Sequence, residues 1–147
     1  MTRRVAARLP FFVYGTLLPG ERYHAAHLGG RIAAHEPARL PDAVLYEGPG
    51  YPYLVEEPGS GGPVYGELVT ALPTAYDRLL VLLDTLEEYS PGDPRNLYER
   101  VARDVLRSDG SPVRAWVYVA APRIALGLRA TGTVIGGGDW AAHRLGR

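Results

Sequence analysis

One carboxylate in this sequence stands where an apolar side chain is expected. Within residues 73–89, Tyr76, Leu79, Leu80, Leu83 and Leu86 recur at spacings of three and four, which predicts a helix with one buried face. At about 100° per residue, Leu80, Leu83 and Glu87 fall in line, so Glu87 interrupts the apolar stripe. Glu88 is then expected to swing toward solvent, with Asp84 on the flank of the stripe. Withdrawing a carboxylate from water is costly unless it finds partners, and it raises the pKa. That is the property a general acid or base needs near neutral pH. Two plainer readings stay open: the helix end opens to solvent, or Glu87 pairs with an arginine such as Arg100.

A second candidate is the segment Tyr14-Gly15-Thr16-Leu17, directly after the apolar run Phe11-Phe12-Val13. Gly15 permits a tight backbone path without a Cβ clash. Consecutive amide groups in such a turn can converge on an anion, and an ordinary strand-ending turn is the alternative. Tyr98 and Tyr118 lie in β-type runs, where their hydroxyls could face a pocket or their rings could pack in the sheet. His24, His27, His35 and His143 show no spacing that suggests a metal site.

The elements that must hold these groups are mostly short strands. Residues 11–14, 43–46, 51–55, 64–69, 97–107 and 112–120 read as β runs, and Ile32, Ala34, Ala38 and Leu40 sit in phase. Ser108-Asp109-Gly110-Ser111 signals a hairpin. Residues 21–28 suggest a short helix, and 122–138 a small-residue, Gly-rich stretch. We expect residues 1–9 to form a flexible tail and 10–147 a single domain. Its class is α+β, mostly antiparallel strands closing toward a small barrel, with one principal helix.

Composition narrows the chemistry further. The chain has 147 residues, 46% of them hydrophobic, and its 16 basic and 16 acidic residues cancel. No charge excess favours nucleic acid or an anionic lipid surface. There is no cysteine and every basic residue is arginine, which excludes thiolate, disulfide and Schiff-base chemistry. No apolar run approaches the roughly 18 residues of a membrane span. The arginines before Leu9-Pro10-Phe11-Phe12 loosely mimic a signal peptide, but the run is short and holds a proline. A cytoplasmic location is expected.

Taken together, the motifs resemble the γ-glutamylcyclotransferase-like (AIG2-like) superfamily. Phe12-Val13-Tyr14-Gly15-Thr16-Leu17 resembles its YG(S/T)L signature, and Leu83-Asp84-Thr85-Leu86-Glu87 its LDxxE segment. Tyr89-Ser90-Pro91-Gly92-Asp93-Pro94 with Leu97-Tyr98-Glu99-Arg100 resembles its YxPxDP…LYxR continuation. Ala115-Trp116-Val117-Tyr118-Val119 resembles a late strand carrying a pocket tyrosine, and Gly138-Asp139-Trp140 a GDW ending. The resemblance implies a small barrel with helices packed outside, and an intramolecular reaction without metal or organic cofactor. In that reaction the α-amine of a γ-glutamyl substrate attacks its own γ-carbonyl, releasing an amine and 5-oxoproline. By motif, Glu87 becomes the acid/base; the Tyr14–Leu17 loop holds the γ-glutamyl group, and Tyr98 and Tyr118 are candidate contacts. The partner implied is a small molecule.

One departure stands out: many members have glycine after the motif glutamate, and this chain has Glu88. On helix geometry Glu88 points away and is tolerated; pointing inward, it would raise one carboxyl pKa further and repel an acidic substrate. Two other readings compete with catalysis. One is a binding or regulatory module that keeps the pocket without turnover; the other is a structural protein whose glutamate only forms an ion pair. Neither the leaving amine nor the oligomeric state is indicated by the sequence.

Overall fold

The computed structural model describes residues 8–15, 17–18, 28–60 and 62–145. Most of the expected tail, the short helix expected over 21–28 (apart from Leu28), Thr16, His24 and His27 therefore lie outside the described residues.

The strands are β1 (Phe11–Val13), β2 (Ile32–Leu40), β3 (Ala43–Glu47), β4 (Pro52–Glu56), β5 (Val64–Ala71), β6 (Tyr98–Arg107) and β7 (Pro112–Ala120). Five of them close a barrel in the order β1-β5-β2-β6-β7, and β3 and β4 form a separate two-stranded sheet. All ladders are antiparallel except the closing one, where Phe11 of β1 meets Trp116 of β7 in parallel. The Trp116 amide donates to the Pro10 carbonyl at 2.8 Å across this seam. Pro37 lies inside β2, but β2 pairs with β6 only at Ala38 and Arg39. The missing N–H of Pro37 thus falls where one side of the strand is open, as proline in a sheet requires.

The β6–β7 hairpin turns where Asp109-Gly110 predicts. The Arg107 amide donates to the Ser111 carbonyl at 2.9 Å, and Asp109 Oδ1 accepts from the Ser111 amide and hydroxyl at 2.9 and 2.6 Å. Phe11, Phe12, Leu68, Val69, Val105, Ala115 and Val117 are buried in the core. Every residue of β1 is buried, so both of its faces are covered.

Helix α1 (Tyr76–Leu86) supplies one of those covers, entered through a single 3₁₀ turn over Pro73–Ala75. It is shorter than the periodicity suggests: the last turn closes at Leu86, and Glu87 is its C-cap. Tyr76, Leu79 and Leu83 are fully packed, with Leu80 and Leu86 partly so. At its start the Tyr76 ring lies 5.6 Å from that of Phe11, and the Tyr76 hydroxyl donates to the Leu9 carbonyl at 2.8 Å. Arg8 donates to the Pro73 carbonyl at 2.9 Å and stands over the Tyr76 ring.

Residues 122–131, read from sequence only as part of a small-residue, Gly-rich stretch, form helix α2 (Pro122–Thr131) with proline in its first turn. Only Ala125 of α2 is fully buried, so no apolar stripe announced it. Helix α3 (Trp140–Leu145) follows the GDW motif, which proves architectural. Gly138 has φ +65°, and a Cβ there would lie 2.2 Å from the Pro63 carbonyl oxygen. Asp139 Oδ1 accepts from the Ala142 amide at 3.1 Å as an N-cap, and Trp140 is buried. Among the described residues, no helix is long and apolar enough to cross a membrane.

Candidate active site

Helix α1 begins beside Phe11 and ends beside Tyr14, so its C-terminus arrives at the turn that follows β1. Both line one cavity of about 230 Å³, whose walls include Tyr14, Gly15, Leu17, Glu87, Tyr98 and Tyr118. The structure therefore gathers every described residue that sequence motifs nominated for the site.

Glu87 keeps its place on the buried side because its amide still donates to the Leu83 carbonyl at 3.0 Å, one last helical bond. Its residue as a whole is only partly buried, the remaining exposure being toward the cavity. Its carboxylate has no hydrogen-bond or ion-pair partner among the described residues. Burial alone pushes its pKa up to about 7. Arg100 does not neutralise it: the Arg100 Nε donates to Asp84 Oδ1 at 2.9 Å. The Arg100 guanidinium is further held over the Trp116 ring at 4.4 Å and the Tyr89 ring at 5.5 Å. The Asp of the LDxxE segment thus takes the cation and leaves the Glu bare.

Glu88 corrects the helical extrapolation. It is the first residue past the C-cap, with φ +52°. Its amide donates to the Thr85 carbonyl at 3.1 Å, and the Tyr89 amide to the Asp84 carbonyl at 2.8 Å. These two bonds define a Schellman ending, whose left-handed position is usually glycine. Glu88 is exposed as expected, yet it also lines the cavity at its mouth. It is not among the causes of the raised Glu87 pKa.

The tyrosines build the wall. The Tyr14 hydroxyl donates to the Tyr118 carbonyl at 2.5 Å, the Tyr98 hydroxyl to the Pro52 carbonyl at 2.9 Å, and the Tyr118 hydroxyl to Asp84 Oδ1 at 2.6 Å. Each O–H is committed to the protein, so oxygen lone pairs and ring faces are what they present to a ligand. Burial raises the pKa of all three well above the ordinary phenol value, with the Glu87 charge adding to the effect. They stay neutral.

Gly15 is needed for space. A Cβ there would lie 2.9 Å from Pro52 Cδ and Cγ, so only glycine lets the turn meet β4. The Leu18 amide closes the turn on the Gly15 carbonyl at 3.0 Å.

Sequence reasoning missed the opposite wall, Pro49, Gly50, Tyr51 and Pro52, together with Leu97. Tyr53 stacks on Tyr98 with ring centroids 5.0 Å apart, and Tyr51 meets Tyr53 edge-on at 5.5 Å. The aromatic content of residues 51–53 was the available signal. Asn96 was missed as well. It is buried, accepts from the Ser90 amide at 3.1 Å, and donates to the Ser90 carbonyl at 2.8 Å and Glu99 Oε2 at 3.2 Å. Arg123 of α2 clamps the same loop through the Arg95 carbonyl at 2.9 Å. Among the described residues, no three His, Asp or Glu side chains gather in a way that could hold a metal ion. His35 lies 2.8 Å from Glu67, and His143 3.2 Å from Glu47.

A closed five-stranded barrel with one principal helix is the architecture that the motifs implied, and comparison with known proteins agrees. Residues 11–142 match the family model described as "Gamma-glutamyl cyclotransferase, AIG2-like", and the chain belongs to that family. The γ-L-glutamyl-butirosin B γ-glutamyl cyclotransferase of Niallia circulans is 35% identical over 135 residues, 91% of this chain and 76% of that protein. YkqA of Bacillus subtilis superposes with a TM-score of 0.66 at 25% identity, over 93% of this chain and only 41% of that longer protein. An AIG2-like protein of Mus musculus superposes with a TM-score of 0.58 at 26% identity, over 78% and 80% of the two chains. The protein is an enzyme of the γ-glutamyl cyclotransferase class.

Proposed function

We propose that this enzyme cyclises a γ-glutamyl amine or amide, with Glu87 moving the proton. The α-nitrogen attacks the γ-carbonyl, the N–C bond of 5-oxoproline forms, and the bond to the leaving amine breaks. The α-ammonium loses two protons on the way to the ring N–H, one before attack and one as the ring closes; the Glu87 carboxylate takes each in turn and passes it to the departing nitrogen, which leaves as an ammonium. A group with its pKa at about 7 serves both steps near neutral pH.

Ring closure is intramolecular, so the cavity's task is to fold the γ-glutamyl arm into an attacking shape. Tyr14, Gly15 and Leu17 line the place where that arm would lie, and Thr16 belongs to the same turn by sequence. Backbone amides there would face the α-carboxylate or the developing oxyanion. Tyr98 and Tyr118 oxygens would accept from the α-ammonium. The Niallia circulans relative takes its name from a γ-L-glutamyl compound, and the same end group is proposed for this chain.

The observation that carries this reading is the bare Glu87 carboxylate sharing one cavity with the β1 turn. The test is a screen of γ-glutamyl compounds for released amine and 5-oxoproline, run beside Glu87→Gln. Product from the wild type and its loss in the variant are expected. Normal turnover by Glu87→Gln would remove Glu87 from the mechanism.

A further inference from the structure

Glu88 occupies a costly position. A side chain in the left-handed region is disfavoured because its Cβ crowds the following carbonyl oxygen, and glycine would remove that strain. The strained residue lines the mouth of the cavity that holds Glu87. It forms no ion pair or side-chain hydrogen bond among the described residues. Strain held at a ligand site points to a use there.

The remaining walls define that use. Among the described residues lining the cavity there is no arginine or histidine, and the only charged side chains are Glu87 and Glu88. Nearby cations are engaged elsewhere: Arg100 with Asp84, and Arg123 with the carbonyls of Arg95 and Asn96. Among the described residues the mouth is therefore anionic and otherwise aromatic or apolar, with Pro49, Tyr51 and Leu97 lining the same cavity. A leaving group bearing a carboxylate would meet Glu88 as a like charge. One bearing an ammonium would find an opposite charge and aromatic faces.

We propose that Glu88 selects γ-glutamyl substrates whose leaving amine carries a second, positively charged nitrogen. The inference rests on the cyclotransferase reading, since it takes the γ-glutamyl end to lie at Glu87 and the leaving group to extend to the mouth.

The test uses three substrates of matched length: the γ-glutamyl amides of butane-diamine, of n-butylamine and of γ-aminobutyrate. The wild type should rank them by kcat/KM in that order, with about three- to fivefold between the first two, the worth of one exposed ion pair. Glu88→Gln keeps the backbone demand while removing the charge, and should bring the diamine and butylamine amides together. Glu88→Arg should favour the aminobutyrate amide. An unchanged diamine-to-butylamine ratio in Glu88→Gln, or a wild-type preference for the aminobutyrate amide, overturns the proposal. Turnover of none of the three would count against the cyclotransferase reading instead. Calorimetric binding of the same amides then decides the proposal by the same ranking.

Discussion

Asp84 and Glu87 sit three residues apart on one helix and lead opposite lives. Asp84 accepts from Arg100 and Tyr118 on a single oxygen, at 2.9 and 2.6 Å. Glu87 accepts from nothing described, and burial lifts its pKa to about 7. The Asp84 side fastens the helix to β6 and β7 through charge and hydrogen bonds. The Glu87 side is held by its backbone alone, its amide on the Leu83 carbonyl. The difference teaches that the ion pair is what makes the bare carboxylate possible. Arg100 is the arginine of the LYxR segment, on β6, and with Asp84 in place it is kept from Glu87.

The largest effect that could break this division is catalytic. Glu87→Gln should lower kcat/KM by about 10²–10⁴-fold, the usual weight of a positioned acid or base, while Asp84→Asn, which releases Arg100 from its partner, should move the pH midpoint downward as the freed cation favours the Glu87 carboxylate. Next in size, Asp84→Asn should destabilise the fold by about 2–4 kcal/mol. It leaves Arg100, whose side chain is 14% exposed, without its counter-charge. Chemical denaturation checks it, and an unchanged midpoint would mean that Arg100 is held by Trp116 and Tyr89 alone.

A third effect distinguishes the two regions by pH. The folded-state pKa of Glu87 lies above its ordinary 4.5, near 7. The folded protein therefore binds the proton more tightly than the unfolded chain, and stability is lost as pH rises through that interval. Glu87→Gln removes this loss. It should match the wild type near pH 4 and exceed it above pH 7 by about 2 kcal/mol, discounted for the side of Glu87 that faces the cavity. The enzyme would then be more stable and less active, as expected where function rests on an uncomfortable charge. The same ionisation predicts that kcat/KM climbs with pH through about 7 in the wild type. Equal stability of the two proteins at both extremes would show that Glu87 is well solvated.

Much of the scaffold was legible because its signals are local. Alternation marked β6 and β7, Asp109-Gly110 marked their turn, and a leucine out of every three or four marked α1. Glu87 was legible as a misfit in that leucine stripe. Helix α2 was not, because Gly127 and few buried side chains gave it no periodicity. Nor was the Pro49–Pro52 wall, which reaches the site through a contact between Pro52 and Tyr98 that spans 46 positions. Glu88 is solvent-exposed as the helical angles suggested, but its backbone was not legible, because those angles were carried past Leu86, where the Schellman bonds reverse the chain. A family pattern with glycine at that position was the clue, and its physical content is the left-handed φ.

Tyr118 is the residue that touches both regions, and it gives the smallest and sharpest test. Its ring lines the cavity while its hydroxyl donates to Asp84. Tyr118→Phe keeps the ring and deletes the bond, and should cost about 1.5 kcal/mol of stability, the low end for a hydrogen bond to a charged group. The pH midpoint of kcat/KM should stay where it is, because burial and not this hydroxyl raises Glu87. A midpoint that moved would put the Tyr118 oxygen in the proton path of Glu87, and the division between a fastening carboxylate and a working one would no longer hold.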